Sequence, residues 1–178
     1  HKILVAKGCF KVGLYKQGLL HDMSKYSPTE FWVGAKYYQG TRSPNNAERE
    51  DIGYSSAWLH HKGRNKHHYE YWIDYSMQAL PGGMAPVPMP DKYIAEMIMD
   101  RIAASKVYMG GEYTDRSPLD YYYQGTDRAP IHPETKAKLL YVLEMLAEEG
   151  EEKTFRFIKE ELVQHKRCMD WHQLEKAE

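Results

Sequence analysis

Three Ser-Pro dipeptides and one Pro-Asp step punctuate the chain, and each precedes a stretch with helical periodicity. Proline fixes φ near the helical value and lacks an N–H that the first helical turn leaves unpaired, so it opens helices and breaks strands. Ser27-Pro28-Thr29-Glu30 reads as an N-cap, a first-turn proline and a capping-box glutamate, opening a helix through about Tyr38. Ser43-Pro44 opens a second, expected to run to about His61. Asp91 after Pro90 caps a third, through about Met109, and Ser117-Pro118 starts a short one that Gly125 closes. Ahead of these, residues 1–14 bring His1, Leu4, Val5, Gly8, Cys9 and Val12 into one arc of a helical wheel. Behind them lie two amphipathic stretches. One runs over roughly 134–149 with Leu139, Leu140, Leu143 and Leu146, stopped by Gly150; the other covers 153–166 with Phe155, Ile158 and Leu162. No segment alternates like a strand, and Pro81–Pro90, with two glycines and four prolines, reads as an ordered loop or lid. The expectation is an all-α single domain over residues 1–178.

Composition narrows the function classes. A formal charge of −1 supplies no basic face for duplex nucleic acid. No apolar stretch reaches membrane-spanning length, and the run Ile3-Leu4-Val5-Ala6 is interrupted by Lys2, Lys7 and Lys11, unlike a signal peptide. Two cysteines, Cys9 and Cys168, form no disulfide framework, so a reducing, cytoplasmic setting is expected. The chain opens on His1 rather than Met, so the native start is expected upstream.

The candidate chemistry centres on His21-Asp22. Adjacent residues diverge by about 100° on a helix, so both can face one ion only at a helix end or kink. Imidazole with carboxylate suits a borderline divalent metal. Asp100 lies in mid-helix on the stripe of Tyr93, Met97, Ala104 and Val107. A carboxylate there must be paired or bind a metal, because burying a lone charge is costly. His1 lies on the apolar arc of its own helix, beside Leu4 and Val5. His60-His61 and His67-His68 crowd four histidines into nine residues. On a helix from Ser43, His60 shares a face with Ile52, Ser56 and Leu59, while His61 points away. A solvated basic patch is the competing reading of this cluster. A turn at Gly63 and Asn65 can return His67 or His68 towards His60, and Glu70 can orient a ligand histidine through its second nitrogen.

The order His1, His21-Asp22, His60/His61, His67/His68, Asp100 resembles the HD-domain superfamily of metal-dependent phosphohydrolases. His21-Asp22-Met23-Ser24-Lys25 is similar to the His-Asp-x-x-Lys form of many members. Asn65 to Trp72 is similar to a motif in an uncharacterised bacterial and phage HD-like family. The resemblance spans residues 1–110 as a metal-binding core and leaves 111–178 as a C-terminal helical extension packed on it. It implies that His1, His21, Asp22 and Asp100 hold one divalent ion (Mn, Fe, Ni, Zn or Mg), and that His60 and His67 hold a second, shared through Asp22. Which member of each histidine pair ligates stays open. It further implies that metal-activated water attacks a small phosphoester, with Lys25 neutralising a phosphate oxygen and Arg64, Arg101 and Lys106 as further phosphate contacts.

A nucleotide substrate is suggested by analogy and by the surrounding aromatics (Trp32, Tyr37, Tyr38, Trp58, Tyr69, Tyr71, Trp72), which can stack a base or simply fill the core. The alternatives are an HD-like di-iron oxygenase and a non-catalytic metal-stabilised binding module. Phe155, Ile158 and Leu162 are expected either to cover the core or to form a surface for homo-oligomerisation.

Overall fold

The computed structural model describes residues 1–40, 42–77, 83–165 and 171, except for the side chain of Asp127; Cys168 and the start of the Pro81–Pro90 loop lie outside these residues. The fold is mostly α. The helices are α1 (Lys2–Lys11), α2 (Tyr15–Leu20), α3 (Pro28–Tyr37), α4 (Pro44–Ile52), α5 (Ser56–Lys62), α6 (Asp91–Met109), α7 (Ser117–Tyr123) and α8 (Pro133–Phe157), the last continuing as a π-helical turn, Ile158–Val163. Among the described residues, no helix is long and apolar enough to cross a membrane.

The proline signals place their helices. Ser27 Oγ accepts from the Glu30 backbone N–H, as a cap should, and Pro28 begins α3. Gly150 takes φ 79° and ψ 173°, interrupting α8 where the stop was expected. The stretch from Ser43 to His61 differs from expectation: it is two helices. Gly53, at φ 83°, closes α4 in the left-handed region, and Ser55 then caps α5 by accepting from the Trp58 N–H. A two-stranded antiparallel hairpin, β1 (Ile73–Tyr75) with β2 (Met84–Pro86), also departs from a purely helical reading; Ile73 pairs with Pro86 and Tyr75 with Met84.

The apolar core lies between α1, α6 and α8. Val5, Cys9, Ile94, Ile98, Leu139, Leu143 and Leu146 are fully buried, and each such aliphatic side chain contributes roughly 1.5–3 kcal/mol relative to exposure. Phe155, Ile158 and Leu162 join this core, so they cover it and are not available as an oligomer surface. Helix α1 approaches α6 closely at Gly8, where an added methyl group would lie 2.8 Å from Met99 Sδ. That close approach brings the start of α1 beside the middle of α6, where the polar groups gather.

Candidate metal centre

The backbone at the end of α2 resolves the problem of two adjacent inward-facing residues. His21 ends the helix with φ −51° and ψ 128°, and Asp22 then takes the left-handed conformation, φ 54° and ψ 28°. The chain leaves in a 3₁₀ turn, Met23–Tyr26. Aspartate tolerates this conformation better than most residues. Both side chains end up buried and facing the same interior.

Asp22 is the hub of two groups of donor atoms. Its Oδ2 lies 3.4 Å from His21 Nε2, which is 3.4 Å from Asp100 Oδ1, and that oxygen is 2.8 Å from His1 Nε2. Its Oδ1 lies 3.3 Å from His61 Nε2 and 3.4 Å from His67 Nε2, while His61 Nε2 and His68 Nε2 are 3.0 Å apart. Each group, His1–His21–Asp22–Asp100 and Asp22–His61–His67–His68, offers four donor atoms within 4.8 Å of one another.

Two buried carboxylates hold the rings. Glu96 Oε1 is 3.0 Å from His21 Nδ1 and 3.3 Å from His67 Nδ1. Glu30 Oε2 is 2.7 Å from His61 Nδ1, and its Oε1 is 2.6 Å from His60 Nδ1. A carboxylate against Nδ1 holds a ring proton there, so Nε2 is the atom that offers a lone pair inward whenever it is not itself protonated. Consistent with this, His21 Nε2, Asp22 Oδ1 and His67 Nε2 are buried without a hydrogen-bond partner. Buried polar atoms are nearly always satisfied, so three orphans on one locus need an explanation. Donors sharing one cation at 2.0–2.1 Å in tetrahedral geometry would lie about 3.4 Å apart. The 3.3–3.4 Å spacings around Asp22 match that figure, and the residues present fit a divalent metal.

The electrostatics point the same way. Burial disfavours a charged His21, yet the Asp100 and Glu96 carboxylates outweigh it and push its pKa up to about 9. Burial opposes ionisation of Asp22 and Asp100 too, but the neighbouring histidines, with Lys25 beside Asp22, hold both far below the usual carboxylate range. Burial, reinforced by His67, holds His68 well below its ordinary value, so it is neutral near pH 7. The ionised carboxylates thus favour positive charge in this interior, whether a proton on His21 or a bound cation.

Most of the residues singled out from sequence converge: His21, Asp22, His67 and Asp100 share this interior, with His1 at its exposed edge. His60 does not. It is held by Glu30 outside both donor groups, and His61 and His68 stand where His60 was expected, because the break at Gly53 resets the helical phase of α5. The orienting contacts come from Glu30 and Glu96 rather than Glu70. Glu30, read as half of a capping box, turns its side chain to the histidines instead. Glu96 carried a usable signal, since it precedes Asp100 by four residues and so shares its helix face.

The cations are distributed differently from expectation. Lys25 Nζ is 2.6 Å from Asp22 Oδ2 at the edge of the site, so it is engaged by the hub carboxylate. Arg64 is exposed, donating to the His60 carbonyl at 3.3 Å, away from the donor groups. Lys106 pairs with Glu151. Arg101 follows Asp100, and burial pushes its guanidinium below its ordinary pKa. Of the aromatics, Trp58 stacks on His61, with ring centroids 5.6 Å apart, and Trp72 packs on the core, whereas Trp32 and Tyr38 are exposed.

No curated protein and no solved structure matches the chain. Residues 1–145 match the model of a family of unknown function, DUF5662, and the chain belongs to that family.

Proposed function

We propose that this protein is a metal-dependent phosphohydrolase of HD-domain type, acting on a small phosphoester in a cytoplasmic setting. The observation that carries the reading is the convergence of His21 Nε2, Asp22 Oδ1 and His67 Nε2, all buried and unpartnered, around a carboxylate whose two oxygens face two donor groups. When bound there, divalent ions supply Lewis acidity that makes water a nucleophile near neutral pH and stabilises charge developing on phosphate oxygens.

The chain's own residues set up that chemistry. Asp22 joins the two groups, Oδ2 on the side of His1, His21 and Asp100, and Oδ1 on the side of His61, His67 and His68. Glu96 and Glu30 fix ring orientation and tautomer through Nδ1 of His21, His67 and His61. Lys25, with its side chain 54% exposed, balances Asp22 at the mouth of the site and lies within reach of an arriving anion.

Elemental analysis of the purified protein, with a panel of phosphomonoesters and phosphodiesters, tests the reading. Bound Mn, Ni, Zn or Fe and turnover of at least one ester are expected in the native chain, with both lost in His21→Ala and Asp22→Asn. Metal content unchanged by those substitutions, or metal bound with no turnover of any ester, would overturn the proposal; stoichiometric iron with visible absorbance and oxygen consumption would replace it with oxygenase chemistry.

A further inference from the structure

A cavity of about 280 Å³ is lined by Tyr69, Tyr121, Gln124, Gly125 and Thr126. Two chain connections tie it to the donor groups: Tyr69 follows His68, and Arg101, which contacts the lining residue Thr126, follows Asp100. Arg101 Nη1 donates to Thr126 Oγ1 at 3.4 Å, which places the guanidinium against the cavity wall. Its Nε is buried without a hydrogen-bond partner, and although the Asp100 and Glu70 carboxylates favour its charge, neither makes an ion pair with it among the described residues. A buried guanidinium left unpaired is costly, so a chain that keeps one gains by supplying an anion from elsewhere.

We propose that this cavity is an oxyanion subsite in which Arg101 takes a phosphate group of the substrate. The assignment rests on reading the neighbouring donor groups as a phosphoester-processing site, and it specifies what that site accepts. Guanidinium is planar and presents parallel N–H donors matched to two oxygens of a phosphate. Thr126, Gln124 and Tyr121, which also line the cavity, carry further donor groups, more than a two-oxygen carboxylate can use. Tyr69 and Tyr121 line the same cavity, and their rings offer stacking surfaces, so the group carrying the phosphate is expected to be planar and apolar rather than an extended polyol. The substrate class is then a phosphate ester of a ring-bearing small molecule.

Calorimetric titration of inorganic phosphate tests this on both metal-loaded and chelator-treated protein. The native chain is expected to bind phosphate in both forms and more tightly than acetate. Arg101→Gln should weaken phosphate binding by about tenfold or more, the loss of a charge-assisted hydrogen bond. Its metal content should be unchanged. Thr126→Val leaves the buried charge in place, so it tests the same wall without removing the guanidinium; it should weaken binding about threefold, as the loss of a neutral hydrogen bond. Phosphate affinity unchanged in both variants, or acetate bound as tightly as phosphate, overturns the assignment. The chelator-treated arm keeps the two proposals distinguishable: loss of metal chemistry in His21→Ala with phosphate binding retained would count against neither Arg101 nor the subsite.

Discussion

Two parts of the molecule bury charge under helix α6 and handle it in opposite ways. Near the start of α6, Lys138 from α8 reaches Asp91 Oδ1 at 2.7 Å and Glu134 Oε1 at 2.6 Å, with only 6% of its side chain exposed. Burial lowers the proton affinity of that ammonium, but the two carboxylates outweigh it and raise its pKa. Thr135 completes the closed polar region by accepting from the Met89 N–H. Further along α6, around Asp22, His21 Nε2, Asp22 Oδ1 and His67 Nε2 are buried with neighbours at 3.3–3.4 Å and make no hydrogen bonds. The first region is self-sufficient; the second has the outer nitrogens of His21 and His67 tied down and their inner ones left open. Buried polarity that serves only the fold is closed, and openness on the inner side alone is what a ligand requires.

The contrast can be attacked from either side. The largest effect is expected at the open site. Glu96→Gln keeps the shape but weakens the acceptor that holds both His21 and His67, so metal affinity should fall by about 10–100-fold with the fold intact. Competition with a chelator would read this, and unchanged affinity would mean that Glu96 is no more than a core contact. At the closed region, Lys138→Ala strands two carboxylates. Because Asp91 and Glu134 retain partial exposure, the cost is expected to be about 2 kcal/mol rather than the figure for a fully buried pair, measured by urea unfolding. Metal content should not change.

The smallest effect concerns a third buried carboxylate, Glu48, which accepts from Ser55 Oγ and Ser56 Oγ at 2.6 Å each and ties α4 to the start of α5. Burial raises its pKa, but the serine hydrogen bonds win and hold it below the ordinary glutamate value. A carboxyl whose folded pKa is depressed contributes stability above its unfolded pKa and loses it as pH falls through the folded value. Glu48→Gln should therefore cost about 1 kcal/mol at neutral pH, with the gap to the native chain closing below the ordinary glutamate range. A gap that stays constant with pH would show that the charge itself contributes nothing.

How far the sequence went depends on whether a feature is local. Helix starts at Ser27-Pro28, Ser43-Pro44 and Ser117-Pro118, and the interruption at Gly150, are encoded within four or five residues and were readable. The two-helix division of residues 43–61 was readable in principle, because Gly53 and the Ser55 cap stand in the interrupted stretch. Treating that stretch as one helix carried the phase error straight into the choice of His60 over His61. Glu30 illustrates the opposite limit. Its sequence neighbours explain it completely as a capping residue, and only the packing of α3 against α5 shows that its side chain serves His60 and His61. The brief hairpin at Ile73–Tyr75 and Met84–Pro86 escaped because strands of three residues have too little length for alternation to register.

The contact at Gly8 has a consequence for the histidine two turns before it. Position 8 acts as a spacer of fixed thickness between α1 and α6: one hydrogen atom fits, and a methyl group 2.8 Å from Met99 Sδ does not without a shift. Where the Met99 side chain does not yield, α1 must move instead, and a rigid helix then carries His1 away from Asp100, to which it is held at 2.8 Å. The tolerance of the donor cluster is thus set partly by an atom with no chemistry of its own, in contact with Met99 two helical turns away.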